Sequence, residues 1–239
     1  IQGFDMPSGL PHVLTSDDQF LYMGDLKYDR QLVQQPDPGR HLFSPTSLLD
    51  DSFWHRSYWV YGTHFVAGWG GWWRVGNQVP AGRILVHDDD TVYGFGRNMM
   101  PGGNAGQWNT GEYYQLFAAS KELREIEETP PRGRKGRARK PSRKTVVQQH
   151  WSYPADLEVR AMVLAGETIF VAGAVGETHR SLDAFWGKEG IQLRAIAADN
   201  GEQLAEYALD SLPVFDGLIA ADGCLYLATK DGQVTCFRK

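Results

Sequence analysis

Cysteine is scarce in this chain of 239 residues, which contains only Cys224 and Cys236. No CxxC pair is present, and this excludes a zinc knuckle and a site of c-type haem attachment. The two residues fall on adjacent predicted strands, where they could pair across the strands or remain two free buried thiols. They therefore do not settle the redox compartment.

Long apolar runs and the common catalytic motifs are also lacking. The longest apolar runs have strand length, so no membrane span is predicted. There is no GxSxG, P-loop or HExxH sequence, and the acidic residues are too scattered to name a glycosidase pair. The chain begins at Ile1 without a methionine or a leader, and we therefore expect a processed or trimmed product.

Amphipathic helical patterns are rare, and the sequence instead repeats a pattern typical of β-hairpins. Residues 13–24, 84–95, 161–172 and 218–228 share short apolar runs on either side of an Asp- or Gly-containing turn. Turn residues of this type between strand-length apolar runs predict β-hairpins. Only residues 120–128 have helix-forming composition. One aromatic recurs in the second strand of each hairpin: Tyr22, Tyr93, Phe170 and Tyr226.

Further strands extend these hairpins into larger units. Third strands are predicted at residues 113–119, 192–198 and 233–237, and a fourth strand at 203–209. Four antiparallel strands are the blade of a β-propeller. We therefore predict an all-β fold with one domain, 1–239, made of about four four-stranded blades. The blades are placed at about 10–80, 81–155, 156–212 and 213–239, with long insertions at 45–80 and 121–145.

Two segments carry a resemblance to a known family. Residues 193–204, with their Ala-x-Asp-x-x-x-Gly-like turn, and 215–234, with Asp-Gly-Cys-Leu-Tyr, resemble the PQQ-like (quinoprotein-like) propeller repeat. Residues 41–62 and 81–86 resemble long-loop members seen in planctomycete-type bacteria.

The resemblance implies a periplasmic or extracellular bacterial protein. The missing outer strands at the two ends and the processed start predict a larger propeller of seven or eight blades, of which this chain would be the C-terminal part. The remaining blades would come from the rest of the chain or from a second chain, because the last unit ends after its third strand and an unclosed edge invites aggregation. Enzymes of this type use PQQ with Ca²⁺, but the vicinal cysteines that they place against the quinone are missing here. No cofactor is therefore predicted.

The aromatic segment 53–74 contains five of the eight tryptophans. We expect residues 53–62 to supply the third and fourth strands of the first blade, where the rings of Trp54, Trp59 and Tyr61 pack. Residues 68–74 form a glycine-rich loop, and a loop with three tryptophans is costly to expose without a purpose. The candidate ligand-binding residues are Trp69, Trp72, Trp73 and Arg74 on this loop and the nearby His55, Arg56 and His64. For the last three, an ion-pair network with the neighbouring Asp50 and Asp51 is the favoured alternative.

Charge is distributed unevenly along the chain. The net charge is −5, although the tract 132–144 concentrates eight basic residues. Its lack of aromatic residues argues against base stacking, so an acidic partner is expected rather than specific nucleic acid. The candidate contacts are Arg132, Arg134, Lys135, Arg137, Arg139 and Lys140. The acidic run 87–90 occupies the turn of the second hairpin, and a turn is predicted there rather than a cation site. No metal site is predicted.

Together these patterns favour a non-catalytic binding or scaffold module that presents the Trp-rich loop to a ligand, glycan or protein partner. The alternative is an enzyme, either a PQQ-dependent dehydrogenase or a carbohydrate-active protein, with its site in the propeller funnel. No recognisable catalytic motif supports the enzyme.

Overall fold

The computed structural model describes residues 13–44, 59–63, 79–97, 114–128, 142–176 and 181–238. Strands dominate these residues, and the one helix within them is the four-residue α1, Leu182–Phe185. No helix in these ranges is long and apolar enough to span a membrane. The all-β prediction is confirmed.

Eighteen strands in the described part form five small antiparallel sheets. The first sheet contains β1 Leu14–Ser16, β2 Phe20–Met23, β3 Leu26–Asp29 and β4 Gln34–Gln35, and the second contains β5 His41–Phe43, β6 Trp59–Gly62 and β7 Ala81–Gly82. The third contains β8 Ile84–His87, β9 Thr91–Arg97, β10 Tyr114–Glu128 and β11 Ser142–Pro154. The fourth contains β12 Leu157–Ala165, β13 Thr168–Val175, β14 Ile191–Ala197 and β15 Gln203–Ala208, and the fifth contains β16 Pro213–Ala221, β17 Cys224–Thr229 and β18 Val234–Arg238.

The sheets follow one another in chain order, as blades do in a propeller. The first strands of the third, fourth and fifth sheets (β8, β12 and β16) lie beside each other, and β1 contacts β5 in the same way. Apolar side chains fill the spaces between successive sheets. The described part is therefore a five-bladed propeller arrangement with three or four strands in each blade.

The predicted number of four blades is wrong. The additional sheet is formed by β5 and β6, which lie inside the segment that the sequence assigned to the first blade, and by β7, which lies at the start of the segment assigned to the second. Its strands are two to four residues long and are far apart in sequence, so no tight hairpin marks them. The sequence assigned residues 53–62 to the third and fourth strands of the first blade, and this is wrong. β6 is instead the middle strand of the second sheet, between β5 and β7.

The four hairpins that the sequence predicted are present. They are β1–β2, β8–β9, β12–β13 and β16–β17. The recurrent aromatic is the third residue of the second strand in each hairpin, at Tyr22, Tyr93, Phe170 and Tyr226. The predicted third and outer strands of the fourth sheet are confirmed as β14 and β15.

Residues 120–128 form a strand, and the predicted helical tendency is wrong. They are the second half of β10, which pairs with β11 as far as Glu128 opposite Ser142. Cross-strand hydrogen bonds along this pairing override the helical propensity of the Glu- and Lys-rich sequence. The pair β10–β11 therefore extends beyond β9 as a two-stranded arm, defined here as residues 122–128 and 142–147.

Buried charge lies along β12, the first strand of the fourth sheet. Glu158 is buried with Arg83, and Nη1 of Arg83 lies 3.4 Å from Oε1 of Glu158. A bulge follows between Val159 and Ala161, at a point where Gly173 of β13 passes very close to the backbone of Glu158. The bulge takes Arg160 out of the regular register with β13, so its side chain does not follow the alternation between the two faces of the strand.

Candidate binding surfaces

Most residues that the sequence nominated lie outside the described ranges. This applies to the loop residues Trp69, Trp72, Trp73 and Arg74 and to His55, Arg56 and His64. It also applies to the basic candidates Arg132, Arg134, Lys135, Arg137, Arg139 and Lys140. Their roles remain predictions.

Most of the basic tract lies in the segment that connects the two strands of the arm. Glu128 and Ser142 form the last pair of the arm, so residues 129–141 connect its two strands. The exposed Glu127 lies opposite the exposed Arg143, and the next outward-facing carboxylate on β10 is Glu125. The arm thus carries exposed acidic residues on β10, and the segment 129–141 that joins its strands contains most of the basic tract.

Trp59 and Tyr61 are structural, as the sequence analysis favoured. Trp59 is buried and packs with Leu85, Val92 and Phe117 of the third sheet. The half-buried Tyr61 joins the same cluster, and Nζ of Lys121 lies 5.1 Å from its ring centroid. Trp54 lies outside the described residues.

The turn at Asp88 uses its carboxylate to hold the hairpin. Oδ1 of Asp88 accepts hydrogen bonds from the backbone N–H groups of Asp90 and Thr91, and Oδ2 accepts one from the hydroxyl of Tyr93. The predicted turn is confirmed. Among the described residues, no three His, Cys, Asp or Glu side chains converge in a way that could hold a metal ion.

The two cysteines lie on one face of the fifth sheet. Tyr226 is directly opposite Cys236, and Cys224 is two residues before Tyr226 on the same strand. Both thiols are free. A hydrogen bond with Cys224 raises the pKa of Cys236 above its ordinary value. A nucleophilic cysteine needs a lowered pKa, whereas the shift at Cys236 is upward.

An aromatic platform that the sequence analysis did not identify surrounds Trp186. Helix α1 begins after Ser181, whose Oγ accepts a hydrogen bond from the N–H of Ala184. Trp186 follows the helix at its C-cap. Gly187 then turns the chain with φ of +78°, at a place where a Cβ atom would lie 2.9 Å from Ile191. The short helix is therefore fixed at both of its ends.

Arg160 supports this platform from below. Its Nη2 donates a 2.8 Å hydrogen bond to the carbonyl of Phe185, and its guanidinium lies 4.6 Å from the Phe185 ring centroid. The same guanidinium is 5.5 Å from the ring of Trp186. Arg160 is almost completely buried, so its position does not depend on a mobile surface side chain. The bulge in β12 thus converts a strand residue into the anchor of the helix.

The outer side of the platform combines apolar surface with positive charge. Trp186 is 50% exposed, and Leu182 is exposed one helical turn before it. The backbone N–H of Trp186 donates a 2.9 Å hydrogen bond to the carbonyl of Leu182, so the two exposed residues lie one helical turn apart. Nζ of Lys230, from the turn after β17, lies 5.0 Å from the Trp186 ring centroid. Among the described residues, Lys230 and Arg160 are thus two cations that contact the Trp186 ring, while Lys188 forms an ion pair with Asp183.

A local signal for this platform was present in the sequence. Ser181 and Gly187 bracket a run that contains Leu, Ala, Phe and Trp, and serine before a short helix with glycine after it is the usual pattern of caps. The contribution of Arg160 could not be foreseen, because the bulge that redirects it depends on packing between β12 and β13.

No family model matches the chain, and no curated protein matches it. The resemblance to PQQ-like repeats therefore remains a prediction.

Proposed function

We propose that this chain is a non-catalytic binding module of the propeller type, and that it binds a carboxylate-bearing glycan at the platform formed by Trp186, Leu182 and Lys230. The half-exposed indole of Trp186, fixed in place by Arg160, is the observation that carries the proposal. Trp is amphipathic and large, and an exposed ring that is held rigid loses little conformational entropy on binding.

Charge around the platform favours an anionic ligand. Nζ of Lys230 lies 5.0 Å from the ring centroid of Trp186, and the guanidinium of Arg160 lies 5.5 Å from it. A uronic acid ring offers C–H groups to the indole and a carboxylate to Lys230. The basic tract between the strands of the arm would add a second, salt-sensitive attraction for the same polymer.

Polygalacturonate, with neutral dextran as the comparison, is the probe that tests the proposal. We expect polygalacturonate to quench tryptophan fluorescence saturably and dextran to leave it unchanged. Trp186→Ala should weaken binding by roughly tenfold or more, and Lys230→Gln should weaken it less and reduce its salt dependence. Leu204→Ala and Lys27→Gln are matched controls, because Leu204 is an exposed apolar residue of β15 and Lys27 lies over the ring of Phe20 in the first sheet.

Equal binding of dextran and polygalacturonate would overturn the anionic part of the proposal. Unchanged affinity of Trp186→Ala, with a circular dichroism spectrum like that of the unmodified chain, would overturn the platform itself. A contribution of the Trp-rich loop, an extracytoplasmic location and the quinone-dependent or carbohydrate-active enzyme remain separate predictions. Absorbance changes on reconstitution with PQQ and Ca²⁺ would test the quinone enzyme.

A further inference from the structure

Two thiols meet on one face of the fifth sheet, and the pairing of its strands fixes their relation. Tyr226 of β17 is directly opposite Cys236 of β18, and Cys224 is directly opposite Arg238. Because every second residue of a strand points to the same face, all four side chains share one face. Cys224 and Cys236 are therefore diagonal neighbours. This relation comes from hydrogen bonds within a single sheet, so it does not depend on what packs against that face.

The equivalent positions of the two preceding sheets contain no thiols. The residue two places before the recurrent aromatic is Thr91 in the third sheet and Thr168 in the fourth. The residue opposite that aromatic on the third strand is Ala118 and Ala195, respectively. In the fifth sheet both positions are cysteine. A blade of this repeat therefore forms without sulfur at these two places, and its packing does not explain the pair.

The thiols interact with each other and with two further polar side chains on this face. A hydrogen bond with Cys224 raises the pKa of Cys236. A hydrogen bond with Cys224, together with one to Cys236, raises the pKa of the Tyr226 hydroxyl. The positive charge of Arg238 acts on Cys236 in the opposite direction and favours its thiolate. The face thus holds two neighbouring sulfur atoms, a hydroxyl that can donate to them and a guanidinium that can balance negative charge.

The spacing of the pair suits a bridging ion better than a disulfide. Diagonal neighbours have Cα atoms about 7–8 Å apart, whereas a disulfide usually needs about 4.4–6.8 Å. Both thiols are free. A metal ion with a bond of about 2.3 Å to each thiolate holds the sulfur atoms roughly twice as far apart as the S–S bond of about 2 Å. Two hydrogen-bonded thiols are also farther apart than a bonded pair, so they need little movement to accept an ion between them.

The ligand set favours a soft ion that needs only two ligands. Thiolates prefer soft ions such as Cu(I), and they also bind Zn²⁺. Structural Zn²⁺ almost always takes four ligands, and among the described residues no third His, Cys, Asp or Glu side chain joins the two thiols. Cu(I) forms stable complexes with two thiolates alone. One Cu(I) and two thiolates carry a net negative charge, which the guanidinium of Arg238 offsets.

We propose that Cys224 and Cys236 form a two-coordinate Cu(I) site on the fifth sheet, supported by Tyr226 and Arg238. Binding forms two Cu–S bonds and breaks two S–H bonds. The two protons pass to solvent, and copper stays in the Cu(I) state throughout. Tyr226 donates to a thiolate and Arg238 balances the charge, because groups beside metal ligands orient them and tune the affinity. The site shares no residue with the platform around Trp186, so the two proposals are tested independently.

Competition for Cu(I) under anaerobic conditions tests the site. The probe is Cu(I) bound to bicinchoninate, a coloured complex that loses absorbance as the protein takes the ion. Cys224→Ser and Cys236→Ser each remove one ligand with little change in size. Thr235→Ala is the matched control, because Thr235 is exposed on β18 next to Cys236 but on the other face. Circular dichroism checks that each variant is folded.

We expect the unmodified chain and Thr235→Ala to bind a single Cu(I) and to release about two protons for each ion bound. Arg238→Gln should weaken binding by roughly tenfold, the usual effect of losing a group beside the ligands. Each serine variant loses a ligand itself and should weaken binding by roughly hundredfold or more.

Several results would overturn the proposal. An unmodified chain that leaves the bicinchoninate complex intact is one of them. A serine variant that binds as tightly as the unmodified chain would show that one sulfur is enough, and an equal loss in Thr235→Ala would show an effect on the fold and not on a ligand. Zn²⁺ that displaces Cu(I) at equal concentration would contradict two-coordinate binding. Rapid and complete oxidation to an intrachain disulfide by oxidised glutathione would contradict the spacing.

Discussion

Replacing Tyr93 with phenylalanine should destabilise the third sheet through a single lost hydrogen bond. The Tyr93 ring is buried, and its hydroxyl donates to Oδ2 of Asp88 over 2.8 Å. A hydrogen bond to a charged group contributes about 1.5–3 kcal/mol. Asp88 keeps its two backbone donors and lies at an exposed turn, so we expect the low end of that range. The expected loss is about 1.5 kcal/mol, or a fall in Tm of about 3–6 °C for a chain of this size.

The pH dependence of this loss is the sharper test. Desolvation opposes ionisation of Asp88, but hydrogen bonds from the Thr91 N–H and the Tyr93 hydroxyl outweigh it, and the pKa of Asp88 is lowered. A carboxyl with a lowered folded pKa stabilises the fold above its unfolded pKa, and this stability is lost as pH falls through the folded pKa. The difference between the unmodified chain and Tyr93→Phe should therefore be constant above about pH 5 and shrink between about pH 4 and pH 2.

Urea unfolding at several pH values measures both effects. Tyr22→Phe should behave in the same way, because the Tyr22 hydroxyl donates to Oδ2 of Asp17 over 2.7 Å in the first sheet. Tyr207→Phe is the control, since the Tyr207 ring on β15 is largely exposed. A Tyr93→Phe variant as stable as the unmodified chain would refute the reasoning. So would a loss of stability that stays the same from neutral pH to pH 3.

Three further predictions concern the fourth sheet. Arg160→Met should cost about 2–3 kcal/mol through the lost hydrogen bond to the Phe185 carbonyl, and hydrogen exchange should show lower protection in α1; unchanged protection there would contradict the anchoring role. Gly173→Ala should cost about 3 kcal/mol in urea unfolding, because the added Cβ atom would collide with the carbonyl oxygen of Glu158; a neutral effect would mean that the bulge opens freely. Glu158→Gln should cost about 3 kcal/mol in urea unfolding, because a neutral amide replaces the carboxylate of a buried ion pair; equal stability of Glu158→Gln and the unmodified chain would show that this ion pair contributes little to stability.

Short-range turn chemistry made the hairpins predictable. The carboxylates of Asp17 and Asp88 accept hydrogen bonds from backbone groups two and three residues later, so the turn is specified within a few positions. The recurrent aromatic follows at a fixed distance, which made Tyr22, Tyr93, Phe170 and Tyr226 recognisable as equivalent. The fourth sheet, with its complete set of hairpin, third strand and outer strand, was the unit in which every strand could be foreseen.

Long-range pairing made the second sheet and the arm unpredictable. β5 and β6 are joined by residues 44–58, and no local turn indicates their register. In the arm, Glu125 and Glu127 favour a helix by propensity, but their partners Thr145 and Arg143 lie far along the chain. A single sequence offers no means to weigh such distant pairing against a local preference. The blade number and the strand at 120–128 therefore had to come from the structure.

The departures from the repeat are also the places where the binding proposals lie, and there is a physical reason for this. Side chains at the regular positions of a blade pack against the neighbouring sheets. They are therefore buried and cannot contact a ligand. The bulge at Arg160 takes one side chain out of this packing. That side chain donates a hydrogen bond to the carbonyl of Phe185 and so holds helix α1 in place. Local consistency with the repeat therefore identifies the scaffold, and local violations of it identify the surfaces on which binding should be sought.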